Sequence, residues 1–217
     1  MVAKATTQGA PEPRIVLSNI EWETYERLLA DQADSSAPRF AYDRGALEIM
    51  SPLPEHERYN RTLAALVESV AEELGLDVEN LGSTTFKRED LERGFEPDSC
   101  FYIQHEAAVR GKNALDLRVD PPPDLVIEID ITHPSLDKFP IYAALGVPEV
   151  WRYDGRRLEL WALEDAHYVE RAESNALPGV AIGAVLHLVE RSKRIGRVAW
   201  LREVRAWARQ LAQGQGA

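Results

Sequence analysis

Two acids set in strongly apolar stretches are the first residues of this chain equipped to do chemistry. The run Asp124-Leu125-Val126-Ile127-Glu128-Ile129-Asp130-Ile131 reads as a strand. It sends Leu125, Ile127, Ile129 and Ile131 to one face and Asp124, Val126, Glu128 and Asp130 to the other. Glu128 and Asp130 then lie side by side, and buried like charges are costly unless paired or bound to a metal. A divalent cation is the simplest partner. Pro97-Asp98 opens a second apolar strand, Ser99–Ile103, and two adjacent strands would bring Asp98 and Glu128 to one ion. Hard cations such as Mg²⁺ take a few carboxylate oxygens plus waters. Asp130 is then either a third ligand or a neighbour that deepens the local negative field.

Lys138 follows the acidic strand, just before Phe139-Pro140-Ile141-Tyr142. Proline belongs in a helix's first turn, so Lys138 stands at a helix N-terminus, where the macrodipole disfavours a cation. The placement points the lysine at something negative, the carboxylates or a phosphate. Glu149, Tyr142 and Trp151 read as structural, and Glu48 as a strand residue on the solvent side. His105, His133, His167 and His187 lack metal-ligand spacing. Cys100 reads as inert packing.

The elements that must hold these residues follow from periodicity and turn chemistry. Residues 1–14 read as a disordered tail and 15–217 as a single domain. Ser18, with Glu21 three residues on, caps an expected helix over 18–30. Asp43-Arg44-Gly45 joins strands 39–42 and 46–50 in a hairpin. A long helix starts near Glu55, carries Leu63, Leu66, Val67, Val70 and Leu74 on one face, and stops at Gly75. His56 begins that core-facing stripe. Strands are expected at 77–80, 83–87 and 98–104, a loop over 106–120, and the acidic strand at 124–131. A helix over 137–145, strands at 149–153, 157–163 and 168–171, and a helix over 198–212 complete an α/β chain.

The chain has 217 residues, 45% of them apolar, enough for one sizeable core. A single cysteine excludes an internal disulfide framework and suits a reducing compartment. With no apolar leader and no uncharged stretch long enough for a bilayer, a cytoplasmic location is expected. The net charge of −11 argues against a general nucleic-acid-coating surface. It is uneven: Arg191–Arg209 holds seven bases and one acid. That basic segment, within 191–213, serves either as a phosphate-binding face or as a dimer contact, with Trp200 and Trp207 as anchors beside Arg202, Arg205 and Arg209.

Pro97-Asp98, Pro123–Glu128, Lys138–Tyr142 and Gly146-Val147-Pro148-Glu149-Val150-Trp151, with Leu47–Pro52 and His56 before them, resemble the Uma-type restriction endonucleases. The resemblance spans about residues 15–185. It implies the PD-(D/E)XK restriction-endonuclease-like fold, with a central mixed sheet flanked by helices, extra antiparallel strands and a C-terminal helix. It implies a Mg²⁺- or Mn²⁺-dependent nuclease acting on DNA, with Asp98 and Glu128 holding the ion and Lys138 orienting water or contacting phosphate. The superfamily lysine stands two residues after the motif acid, where this chain has Asp130, so Lys138 takes its place. His56 joins the site because superfamily members often place a polar residue of the first long helix near the metal. Two other readings stand beside the nuclease: an interaction or dimerisation module on the same scaffold, which the net charge favours, and a hydrolase of small phosphate esters. The last lacks a phosphate-cradling glycine loop.

Overall fold

The computed structural model describes residues 12–32, 35, 37–131 and 136–215. Its elements in chain order are β1 (Arg14–Leu17), α1 (Trp22–Asp31), β2 (Arg39–Asp43), β3 (Ala46–Met50), α2 (Pro54–Leu74) and β4 (Glu79–Asn80). Next come β5 (Phe86–Arg88), β6 (Arg93–Phe95), β7 (Ser99–Tyr102), α3 (Glu106–Val109), β8 (Leu125–Ile129) and α4 (Phe139–Leu145). The last are β9 (Glu149–Tyr153), β10 (Leu158–Glu164), β11 (His167–Arg171), α5 (Ile182–Ser192) and α6 (Arg197–Gln215). Among the described residues no helix is long and apolar enough to cross a membrane.

The strands form two sheets. One is antiparallel, in the order β1-β3-β2-β6-β5. The other runs β11-β10-β9-β8-β7-β4 and is mixed, because β8 and β9 pair in parallel while its other pairs are antiparallel. A parallel pair needs a crossover, and α4 supplies it. The mixed sheet is the central layer. On one face Leu125, Ile127 and Ile129 pack with Leu63, Val67 and Val70 of α2, Val185 of α5, and Trp200 and Val204 of α6. On the other face Cys100, Tyr102, Val126 and Val150 meet Phe86 and Phe95 of the antiparallel sheet and Ile141, Tyr142 and Leu145 of α4. Every second residue of β8 therefore serves a different core, as the alternation predicts.

Local chemistry sets several boundaries. Arg44 (φ 45°) and Gly45 (φ 92°) both adopt left-handed conformations, the requirement of a two-residue hairpin turn matched to strand twist. Gly75 (φ 70°) ends α2 and Gly146 (φ 79°) ends α4. The expected start of α1 at Ser18 is corrected: the helix begins at Trp22 with Glu21 at its cap and no side-chain capping bond. Asn19 turns left-handed at φ 59°. The Ile20 N–H donates to Gly45 O at 3.0 Å, and Tyr42 OH donates to Ile20 O at 2.7 Å. These bonds tie residues 18–20 to the hairpin instead of a helix.

Strands β1 and β6 and helix α5 answer to no expectation from the sequence, and α3 interrupts the loop expected over 106–120. Of the tail expected over 1–14, residues 1–11 lie outside the described residues, as does His133. Glu12 is buried, and Arg14 begins a strand.

Candidate metal and phosphate site

β7 and β8 pair with Ser99 opposite Ile127, Cys100 opposite Val126 and Phe101 opposite Leu125. Continued by one step, this register sets Asp98 opposite Glu128. Directly opposed residues of an antiparallel pair keep their Cβ atoms about 4.5–5.5 Å apart, so two acids thirty positions apart in sequence become neighbours. Both are buried, Asp98 to 2% and Glu128 to 4% exposure.

Each acid has its own set of donors. Asp98 Oδ2 accepts the Ile129 N–H at 2.6 Å, and its other oxygen forms a close ion pair with Arg39 at the start of β2. Asn60 of α2 holds the backbone beneath it, donating from Nδ2 to Asp98 O at 2.9 Å and accepting from Ser99 Oγ at 2.7 Å. Glu128 Oε2 accepts from Lys138 Nζ at 2.7 Å, and Oε1 accepts from the Tyr142 hydroxyl. Lys138 immediately precedes α4 and Tyr142 stands on it, so the crossover brings both donors down onto β8.

His56 completes this side. It is wholly buried in the first turn of α2, with Nε2 3.1 Å from Asp98 Oδ2. The contact lacks hydrogen-bond geometry, and neither ring nitrogen has a hydrogen-bond partner among the described residues. Burial, reinforced by Arg39, Lys138 and Arg14, lowers the imidazole pKa to about 3, so the ring is neutral. Burial and the charge of Glu128 raise Asp130 to about 6, against the opposing pull of Lys138 and Arg14. For Lys138 burial alone would favour proton loss, yet Glu128, Glu48 and Asp130 outweigh it and the lysine is raised above its ordinary value.

Glu48 is a correction. It was expected on the solvent side of β3 but is only 1% exposed. Its carboxylate meets Arg14 at 3.3 Å and accepts the Leu136 N–H at 3.2 Å. The alternation of β3 hid this, because both faces of that strand are covered. Arg14, Arg39 and Glu12 were not singled out from the sequence either. Their one legible signal is position: Arg39 opens a strand otherwise rich in aromatic residues.

Other acids in the motif segments do mechanical work. Asp124 Oδ2 accepts the N–H groups of Ile103 (2.7 Å) and His105 (3.0 Å), closing the chain after β7. Glu149 accepts from Trp151 Nε1 at 2.7 Å, Ser174 Oγ at 2.6 Å, and the N–H groups of Asn175 (2.7 Å) and Ala176 (3.2 Å). It anchors the segment that leads into α5.

The basic C-terminal segment is likewise engaged internally. Arg205 pairs with Glu72 at 3.0 Å and Arg209 with Glu73 at 2.9 Å, both acids on α2, and Arg191 pairs with Glu203 at 2.8 Å. Trp200, expected as an interface anchor, is instead 1% exposed and donates from Nε1 to Leu188 O at 2.7 Å. Trp207 packs against the same core.

Among the described residues no group of three His, Cys, Asp or Glu side chains is gathered as a ready-made cation cage. The donor set nevertheless suits a hard divalent ion. Mg²⁺ keeps several waters and is usually held by one or two carboxylates. The unpartnered Nε2 of a neutral imidazole beside a carboxylate oxygen is also a pair that a cation would join. A cavity of about 30 Å³, lined in part by Glu128, Asp130, Lys138 and Tyr142, opens on the Glu128 side of the site; Asp98 and His56 do not line it.

A mixed central sheet between a helix layer and a second sheet, with an acid pair at a strand end and a lysine on the crossover, places the chain among restriction-endonuclease-like α/β proteins. It belongs to the Uma2 family, described as putative restriction endonuclease, which it matches over residues 22–188. A search of curated proteins finds no match.

Proposed function

We propose that this chain is a metal-dependent endonuclease that hydrolyses phosphodiester bonds of DNA. The observation that carries the reading is Asp98 bonded to the Ile129 N–H beside Glu128, with Lys138 seated on Glu128. Asp98 and Glu128 would hold Mg²⁺ or Mn²⁺, with Asp130 as a third carboxylate and His56 beside Asp98. Such an ion supplies a water of lowered pKa and offsets charge developing on a phosphoryl oxygen. Lys138 stays protonated because the acids around it outweigh its burial. It therefore donates to a phosphate oxygen or to the attacking water, and does not act as a base. Neutral His56 adds no charge to repel a cation. Family membership favours DNA as the substrate.

The test is nicking of supercoiled plasmid by the purified chain with Mn²⁺ at low salt. The salt must be low because a chain of net charge −11 gains little from general attraction to a duplex. Nicked circles should accumulate with wild type and be absent with Asp98→Ala or Glu128→Ala. Cutting that survives either substitution would remove the proposed site.

One observation favours a non-cleaving interaction module instead: Arg39 already neutralises Asp98 and Lys138 already neutralises Glu128. Absence of any heat on titration with Mn²⁺ would decide for that reading.

A further inference from the structure

The N-terminal arm adds a cation to this group of acids without closing a short hydrogen bond on any of them. Arg14 opens β1, an edge strand whose pairing with β3 runs from Arg14 opposite Met50 to Leu17 opposite Leu47. Its side chain is only 6% exposed. Nη1 lies 3.3 and 3.4 Å from the two oxygens of Glu48, and Nη2 lies 3.7 Å from Asp130 and 3.5 Å from Glu12. Charge-assisted N–H···O bonds run about 2.7–2.9 Å, the distance at which Lys138 closes on Glu128. The guanidinium is therefore shared among three carboxylates and locked to none, and its Nε has no hydrogen-bond partner among the described residues. The arm also lies outside residues 22–188, which match the family.

We propose that Arg14 is a built-in counter-ion that opposes the divalent cation, sharing Asp130 with it and placing positive charge against the neighbouring Glu48. The inference rests on the metal-dependent reading above. A guanidinium against Glu48 and Asp130 raises the positive potential where the ion must sit, and two cations a few ångströms apart in a buried site repel strongly. The arm can give way. β1 is an edge strand with one ladder, and Ile15 on it is already 52% exposed, features of an element that opens locally before the core does. Metal binding and arm release are then linked, each favouring the other.

Two measurements test this. Calorimetric titration of Mn²⁺ into Arg14→Gln should show affinity at least about tenfold tighter than wild type, and Arg14→Lys, which keeps the charge, should stay within about threefold. Wild-type binding that Glu128→Gln abolishes, with no tightening in Arg14→Gln, overturns the counter-ion while leaving the metal site intact. No binding in wild type or Arg14→Gln overturns both. The second measurement needs no variant: saturating Mn²⁺ should speed amide exchange across residues 14–17 of the wild-type chain. Unchanged or slower exchange there overturns the proposal.

Discussion

Asp98 accepts the Ile129 N–H, the peptide next to Glu128, yet the two acids are served by cations from opposite sides of the molecule. Arg39 comes from the antiparallel sheet, and Lys138 from the crossover between the two parallel strands. Breaking one buried pair by removing a partner costs about 3–5 kcal/mol, because the other charge is left uncompensated. Substitutions at these four positions therefore have to be judged per folded molecule.

Lys138→Met separates binding from chemistry. With the ammonium gone from Glu128, the folded variant should bind Mn²⁺ at least as tightly as wild type. Its plasmid nicking should fall by about 100-fold or more, the usual scale for loss of a positioned proton donor. Calorimetry and nicking on one preparation give both numbers. Undiminished nicking would exclude Lys138 from the site.

His56 gives stability a defined pH dependence. Its folded pKa is about 3 against 6.5 for the free side chain, so between those values the unfolded chain binds the proton and the folded chain does not. Stability is therefore fully present above about pH 6.5 and declines as pH falls toward 3, by up to about 1.4 kcal/mol per pH unit from this residue. Urea unfolding at pH 7.5, 6.0 and 5.0 should show the decline, and His56→Asn should flatten it. Parallel curves for the two proteins would contradict the assignment.

Glu149 should prove mechanical. Glu149→Ala strands the Trp151 indole N–H, the Ser174 hydroxyl and two backbone N–H groups. Each buried unsatisfied group costs about 1–3 kcal/mol, so thermal melting should show a loss of several kcal/mol. Mn²⁺ affinity per folded molecule should stay at the wild-type value, and a specific loss of binding would move Glu149 into the site.

Gly94 and Tyr25 should behave as a coupled pair. A Cβ on Gly94 would run into the Tyr25 hydroxyl and come within 3.0 Å of the ring carbons. Tyr25 itself is held by stacking on Tyr42, with centroids 4.9 Å apart. Gly94→Ala should destabilise by about 1–3 kcal/mol through overpacking. Tyr25→Phe, which removes a buried hydroxyl without a hydrogen-bond partner among the described residues, should recover much of that loss in the double variant. Simple additivity of the two changes would refute the clash.

What the sequence makes legible is local pattern. The alternation in residues 124–131 gives β8 and its two faces, the heptad-like spacing of Leu63, Leu66, Val67 and Val70 gives α2, and Asp43-Arg44-Gly45 gives the hairpin. Asp98 meets His56 and Glu128 meets Lys138 because these two partners sit at the starts of the helices that cover the strands. Arg14, Arg39 and Glu48 stayed hidden because their burial is decided by which sheet lies over which, a long-range fact that no strand pattern encodes. Helix α5 was missed for a related reason. It is apolar enough, in Ala184-Val185-Leu186 and Leu188-Val189, to be read as strand or helix alike.

The Leu136 N–H reaches Glu48 across 88 residues of sequence, Arg14 reaches Glu48 across 34, and Ile129 reaches Asp98 across 31. Lys138 and Tyr142 reach Glu128 across only 10 and 14 residues, whereas the Arg14, Glu48 and Asp98 side of the site is built from such distant contacts. Contacts so distant along the chain form late, once the entropy of closing large loops has been overcome. A nascent or partly folded molecule can thus seat Lys138 and Tyr142 on Glu128 while the Arg14, Glu48 and Asp98 half of the centre is still missing. For a chain proposed to cut DNA, the wiring itself is a safeguard: hydrolytic capacity emerges only when the whole architecture has closed.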